Sequence, residues 1–177
     1  LILAPGTTVL DNRYVVVVTY DREGHVKDSD AAKISWAKVL QETQKHQVDE
    51  NRQRTAQGYP AITIVGWAEP PHYDAASHKL YWASDLAFAG EASDTLNYEV
   101  RVLGRDATLE LTAVSGVSDL AAVRTGMQTV LGASSFVPGH AYADYRSGDH
   151  LSKLGVGGLV AGGAYAAVKT GILAFLL

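Results

Sequence analysis

Residues 95–114 alternate between apolar and polar side chains on both sides of a short turn, and this pattern restricts the fold most strongly. Apolar residues occupy every second position of the first run, at Leu96, Tyr98, Val100 and Val102. Polar residues occupy the positions between them, at Thr95, Asn97, Glu99 and Arg101. Because successive side chains of a strand point to opposite faces, the pattern predicts an antiparallel hairpin with one apolar and one solvated face.

The remaining elements follow from composition and periodicity. Three further segments are typical of strands, at residues 13–21, 61–68 and 78–88. Helical spacing of apolar residues predicts two helices, over residues 31–57 and 118–132. Candidate N-caps of the first helix are Asp28, Ser29 and Asp30. The order of elements predicts an α+β fold, in which an antiparallel sheet of about five strands packs its apolar face against two helices.

The composition excludes several classes of function. The formal net charge is −4 and the basic residues form no cluster, so nucleic-acid binding is not expected. The chain contains no Cys, which excludes disulfides, thiolate nucleophiles and thiolate metal ligands. Its 177 residues suffice for one domain with a hydrophobic core and a short appendage.

The segment 155–177, GVGGLVAGGAYAAVKTGILAFLL, is apolar apart from Lys169. A membrane-spanning helix needs about 20 mostly apolar residues, and this segment meets that length. A lysine inside such a helix costs roughly 2.5–3.5 kcal/mol, which the many aliphatic residues offset. The sequence therefore predicts a globular α+β domain over residues 1–148, followed by a C-terminal transmembrane helix that anchors it over residues 149–177.

Small residues in this segment recur every three or four positions and share one helical face. The face consists of Gly155, Gly158, Gly162, Ala166 and Lys169. Gly158 and Gly162 form a GxxxG unit, which lets another transmembrane helix approach closely, so we expect a helix–helix interface here. The alternative is a glycine-rich helix buried in a soluble core. Six glycines disfavour it, because each costs about 1 kcal/mol relative to alanine in a helix in water.

Five segments carry a family resemblance. They are GHVKDSDAAKI, NRQRTAQGYPAITIVGWAEPPHYDAASHKLYWA, LNYEVRVLGRDATLELTAV, HAYADYRSGDH and GLVAGGAYAAVKTGI. From about Tyr14 to its end, the chain resembles the bacterial family of uncharacterised membrane-anchored proteins grouped as domain of unknown function 2167. The resemblance implies an envelope protein with a cleaved export signal, a domain outside the cytoplasm and hydrophobic helices near the C-terminus. It implies no activity.

The segment EPPHYD offers one candidate catalytic group, Glu69, His72 and Asp74. Paired prolines fix the backbone, so a corner at this place would hold a carboxylate and an imidazole for the acid–base chemistry of a hydrolase. The alternative is a structural turn between strands, around which Trp67 and Tyr73 pack with other aromatic residues.

The segment HAYADYRSGDH offers imidazole and carboxylate ligands. The weak metal candidates are His140, Asp144, Asp149 and His150. Their spacing matches no known zinc motif, so no metal or other cofactor is predicted. On the hairpin, Asn97, Tyr98, Arg101 and Arg105 form either a recognition surface or a solvated face on which Arg101 pairs with Glu110 across the strands.

The sequence favours a non-enzymatic, membrane-anchored envelope protein. Its soluble domain binds a partner, and its glycine-rich helix contacts membrane lipid and packs against other transmembrane helices, in a membrane complex or a homo-oligomer. The alternative is an envelope hydrolase that uses the group at residues 69–74. A third hypothesis is a soluble module that binds a small ligand in the cleft of the sheet.

Overall fold

The computed structural model describes residues 1–8 and 14–169, with side chains described up to residue 162. In this part of the chain, six antiparallel strands form one sheet in the order β1-β2-β6-β5-β4-β3. The strands are β1 (Ile2–Leu3), β2 (Val15–Asp21), β3 (Ile62–Asp74), β4 (Lys79–Phe88), β5 (Thr95–Leu103) and β6 (Thr108–Gly116). The helices are α1 (Trp36–Ala56), α2 (Leu120–Gly132) and α3 (Val156–Lys169). The predicted α+β class is confirmed, with six strands instead of about five.

One face of the sheet, called here the apolar face, packs against α2. The helix contributes Val123, Met127 and Leu131, which recur every four residues and are all buried. Their partners in the sheet include the apolar half of the predicted hairpin: Leu96, Tyr98, Val100, Val102 and Leu111. The periodicity of the sequence therefore predicts this face correctly.

The opposite face, called here the charged face, is not solvated, and this corrects the prediction. Asn97, Glu99 and Arg101 are only 1%, 1% and 3% exposed. Their neighbours on β4, Leu80 and Trp82, belong to a second apolar cluster. The first turns of α3 supply the covering residues of that cluster: Val156, Leu159 and Val160. The prediction was wrong because a second helical layer covers the face that the alternation assigns to solvent.

The helix α1 lies along the free edge of β3, where its amide side chains replace a neighbouring strand. Gln44 donates to the carbonyl of Ile64 at 2.8 Å. Gln47 bonds the carbonyl of Ile62 and accepts from the amide of Ile64 at 3.0 Å. Asn51 accepts from the amide of Ile62 at 2.9 Å. An uncovered edge strand exposes unpaired backbone groups, so these amides close one end of the sheet.

Two local predictions need correction. The helix α1 begins at Trp36, after a short 3-10 turn at Ala31–Lys33, and its N-cap is Ser35 instead of a residue at 28–30. The segment EPPHYD lies within β3 and is not a corner. Shifts of register between β3 and β4 absorb it. An edge strand tolerates prolines because it leaves part of its backbone without a ladder partner.

The predicted membrane helix corresponds in part to α3, which has 14 residues. Within the described ranges, no helix combines the length and the apolar character needed to cross a membrane. Val156, Leu159 and Val160 are buried in the core of the domain. Residues 170–177 of the prediction lie outside the described residues, and the proposed boundary at residue 148 stays a prediction.

Candidate functional site

A groove between α1 and α3, called here the α1–α3 groove, encloses a cavity of about 320 Å³. Ile64 of β3 forms its floor. The α3 wall consists of Gly157, Gly158 and Ala161, and the α1 wall of Val39, Glu42, Thr43, His46, Gln47 and Glu50. Because the α3 residues are small, the helix approaches α1 closely without filling the space between them. A cavity of this kind is a common form of ligand site.

The inner wall of the groove has little capacity to bond a polar ligand. The hydroxyl of Thr43 donates to the carbonyl of Val39 at 2.8 Å, and the amide of Gln47 is bound to the backbone of β3. The side chains of Glu42, His46 and Glu50 differ, since none of them forms an ion pair or a hydrogen bond with another described residue. The groove therefore combines an apolar interior with a rim whose carboxylates have no partner among the described residues.

The predicted small-residue face of α3 is divided between the domain and the groove. A Cβ atom at Gly155 would lie 3.0 Å from the carboxylate of Asp30, so this residue contacts the chain's own loop. Gly158 lines the groove. A Cβ at Gly162 would meet no described atom within 4 Å. Ala166 and Lys169 belong to α3, but their side chains lie outside the described residues.

A buried charge network, formed by Asn97, Glu99, Arg101 and Glu110, occupies the charged face. Arg101 binds Glu99 at 2.7 Å and Glu110 at 3.1 Å, so the predicted cross-strand pair of Arg101 and Glu110 is confirmed. The amide of Asn97 donates to Glu99 at 2.8 Å. Burial raises the pKa of Glu99, although Arg101 opposes this. One guanidinium therefore holds two carboxylates.

The network also contains buried polar atoms that lack a hydrogen-bond partner among the described residues. In the network they are Asn97 Oδ1, Arg101 Nη1 and Glu99 Oε2, whose contact with Arg101 is an ion pair, and on the adjacent strand β4 Trp82 Nε1 and Ser84 Oγ lack partners as well. Such atoms are uncommon in folded proteins and call for an explanation by function or by ordered water. All of these atoms are closed to solvent, whereas the side chain of Glu110, at the border of the network, is partly exposed.

A tyrosine–histidine cluster lies at the end of the sheet where β3 turns into β4. The hydroxyl of Tyr73 donates to Asp28 at 2.8 Å and lies 3.0 Å from Nδ1 of His78. Since Tyr73 has one hydroxyl proton and gives it to Asp28, His78 must donate from Nδ1. In the neutral form of the ring, Nε2 then carries the lone pair that a general base requires. Burial and the hydrogen bond to Asp28 raise the pKa of Tyr73.

Stacked rings fix the orientation of this cluster. The ring of Tyr142 lies 4.1 Å from that of His78 and 4.4 Å from that of His25, and Tyr145 stacks on His25 at 4.2 Å. Among the described residues, His78 is the only non-glycine residue with a positive φ, at 51°. Backbone conformations of this kind are uncommon outside glycine and concentrate at functional sites.

Sequence reasoning missed this cluster. Asp28 was interpreted as a helix cap, and neither Tyr73 nor His78 lies in a periodic pattern. The cluster is built from three of the segments that carry the family resemblance, which contain His25, His78 and Tyr142 respectively. The resemblance identifies these segments but does not indicate that they meet in the fold.

The predicted catalytic group has a separate partner for each side chain. Glu69 binds the guanidinium of Arg124 on α2. The ring of His72 stacks on Tyr81 at 4.8 Å, and Asp74 accepts hydrogen bonds from the turn that follows it. These contacts do not join the three residues to one another. The interpretation of the group as a hydrolase site therefore stays a prediction.

The four metal candidates are likewise held by different groups. Asp149 binds Arg105 through two bonds of 2.7 Å, which lowers the pKa of Asp149 to about 2. Asp144 accepts from two backbone amides, whereas the ring of His140 lies 3.9 Å from Asp106. The backbone carbonyl of His150 accepts from the amide of His25. Throughout residues 1–8 and 14–162, no group of three or more His, Asp or Glu side chains can hold a metal ion.

Comparison with known proteins places the chain in a family without adding an activity. The family model described as a protein of unknown function (DUF2167) matches residues 1–177. No curated protein and no solved structure matches the chain. Since the family model covers the whole sequence, in agreement with the segments identified above, the chain belongs to the DUF2167 family.

Proposed function

We propose that this chain is a non-enzymatic binding protein whose α1–α3 groove receives the apolar part of a ligand. The cavity of about 320 Å³ between the helices carries the proposal. Ligand pockets in proteins commonly enclose about 300–1,000 Å³ and are lined mainly by apolar groups. The polar groups of the inner wall are bound to backbone atoms, so an apolar ligand leaves no buried polar group of this wall unpaired.

Filling the groove tests the proposal. N-phenyl-1-naphthylamine, an uncharged fluorophore, should bind the full chain saturably, with a blue-shifted emission. The substitution Ala161→Phe occupies the cavity and should weaken this binding by about tenfold or more. Ala122→Phe on an exposed position of α2 is the matched control. Equal binding by the wild type and Ala161→Phe, with both proteins folded, would contradict the proposal.

We also propose that the protein is anchored in a bacterial envelope membrane, with its domain outside the cytoplasm. The apolar sequence 155–177 and the family resemblance support this proposal. The substitution Leu173→Asp should release the protein from membranes washed with alkaline carbonate, whereas Val137→Asp at an exposed position of the domain should not. Retention of both variants in the washed membrane would contradict the role of the C-terminal segment.

The proposal further includes packing of the glycine-rich segment against transmembrane helices, through the small residues that do not contact the domain. Gly162→Ile is the informative variant, since a side chain at this position meets no described atom of the domain within 4 Å. It should reduce the assembly of the protein in mild detergent, as measured by size-exclusion chromatography with light scattering. Assembly that is unchanged in this variant would contradict the interface.

A second candidate function is an enzyme that uses His78 as a general base. The unusual backbone of His78 and its bond to Tyr73 favour this candidate over the predicted group at residues 69–74. Hydrolysis of p-nitrophenyl acetate provides a first test. Activity that His78→Gln abolishes and His72→Gln preserves would support the enzyme. Activity equal to that of free imidazole would contradict it.

A further inference from the structure

We infer that the ligand of the α1–α3 groove is a small amphiphilic cation, an inference that rests on the proposed function. Its apolar body occupies the cavity, and its positively charged nitrogen lies at the rim beside the carboxylates of Glu42 and Glu50. The cavity itself carries the inference, and the charges of its rim decide which ligand it selects.

The rim residues are placed for one shared ligand. Glu42, His46 and Glu50 are spaced by four positions, so they follow one side of α1. With a rise of about 1.5 Å per residue, the two glutamates lie about 12 Å apart along the helix axis. All three line the same cavity. A charged group above the middle of the groove is therefore within reach of both flexible glutamate side chains, while the ring of His46 provides contact area between them.

Among the described residues, no positive charge balances the carboxylates at the rim. Neither glutamate is paired with another described residue, and the described lining of the groove includes no Lys or Arg. Lys38 and Lys45 belong to the same helix but do not line the cavity. Two carboxylates beside an apolar wall attract a cation and repel an anion, and the low polarity of the wall reduces the screening of both effects.

The size of the cavity limits the apolar part of the ligand. About 320 Å³ is near the lower end of the usual range of about 300–1,000 Å³ for ligand pockets. This space suits a single short alkyl chain or one ring system and is too small for two long acyl chains. The geometry thus favours a single-chain amine or quaternary ammonium compound over a diacyl lipid.

Three probes with the same ten-carbon chain distinguish the contribution of charge to binding from that of apolar contact. They are decyltrimethylammonium, decyl maltoside and decyl sulfate, each titrated calorimetrically into the full chain below its micelle-forming concentration. We expect the cation to bind about tenfold more tightly than the uncharged maltoside, and the sulfate to bind most weakly, because the carboxylates repel it. The double variant Glu42→Gln/Glu50→Gln should bind all three with similar affinity, and Glu91→Gln in an exposed turn should behave as the wild type.

The outcomes distinguish this inference from the proposed function. Equal affinity of the wild type for the three probes overturns the inference of a cationic ligand and is consistent with the proposed function, in which the groove binds an apolar group. If the double variant loses affinity equally for all three probes, the inference of a cationic ligand is overturned as well. The glutamates then stabilise the fold and do not attract the charge of the ligand. Failure of every probe to bind overturns both the inference and the proposed function. A preference for the cation that the double variant loses supports the inference.

Discussion

The two faces of β5 are both buried, yet they are stabilised in different ways. Residues at even positions pack against α2 in an apolar cluster, so their contribution to the stability of the fold depends on the shape and volume of their side chains. Asn97, Glu99 and Arg101, on the other face, belong to the buried charge network, whose contribution to stability depends on complete pairing of charges. Polarity in a sequence therefore identifies the two faces of a strand, but it does not identify which face meets water.

The charged face depends on Arg101 because one guanidinium serves two carboxylates. Its Nη2 binds Glu99 and its Nε binds Glu110, while its guanidinium carbon lies 5.2 Å from the centroid of a Trp82 ring. Removing a charge from water is costly, and only the paired opposite charge offsets this cost. On the apolar face, no single described residue has a comparable role, since many contacts share the stabilisation there.

The largest effect should therefore come from Arg101→Met. The change leaves Glu99 buried without its cation, and breaking one side of a buried ion pair typically costs about 3–5 kcal/mol. Urea denaturation followed by circular dichroism measures the loss in the free energy of unfolding. A loss below about 1 kcal/mol would mean that the charged face behaves as a solvated surface.

The apolar face should respond to a loss of volume. Leu111 is fully buried in the cluster against α2, and Leu111→Ala should cost about 3 kcal/mol, within the range observed for cavities in protein cores. Met127→Leu retains most of the volume and should cost less than about 1.5 kcal/mol. The same denaturation experiment compares the two variants, and equal losses would contradict the dependence on volume.

A smaller effect should appear in the pH dependence of Glu99→Gln. Burial raises the pKa of Glu99 above its ordinary value of 4.5, so the folded protein binds this proton more tightly than the unfolded chain. The stabilisation is present below pH 4.5 and is lost as the pH rises through the raised pKa. The free energy of unfolding of the wild type, minus that of the variant, should therefore decrease over this interval. Denaturation curves measured at several pH values test this, and parallel profiles would contradict it.

The smallest effect is expected at the border of the apolar face, where Glu69 pairs with Arg124. The arginine side chain is half exposed, so solvent weakens this pair. Glu69→Gln should cost less than about 1 kcal/mol, and 0.5 M salt should reduce even this difference, which chemical denaturation can measure. A larger loss would show that exposed pairs stabilise this fold as strongly as the buried charge network does.

Much of the fold was predictable because it depends on local periodicity. The strands of the hairpin and the helix α2 correspond closely to their patterns, and the pairing of Arg101 with Glu110 follows from the antiparallel register. The tyrosine–histidine cluster was not predictable, since Asp28 lies in the loop before α1, Tyr73 lies near the end of β3 and His78 precedes β4, and the three follow no common spacing. The α1–α3 groove was not predictable from the sequence either, because its two helices are far apart in the chain.

The sequence by itself determined the strand alternation, the helix-forming segments and the family, because these depend on neighbouring side chains and on the order of segments. The tertiary structure alone decided that α1 and the start of α3 cover the charged face and leave a groove between them. The physical reason is that burial is a property of the assembled layers. Asn97, Glu99 and Arg101 have the spacing of a solvated surface, and only the packing of a second helical layer removes them from water.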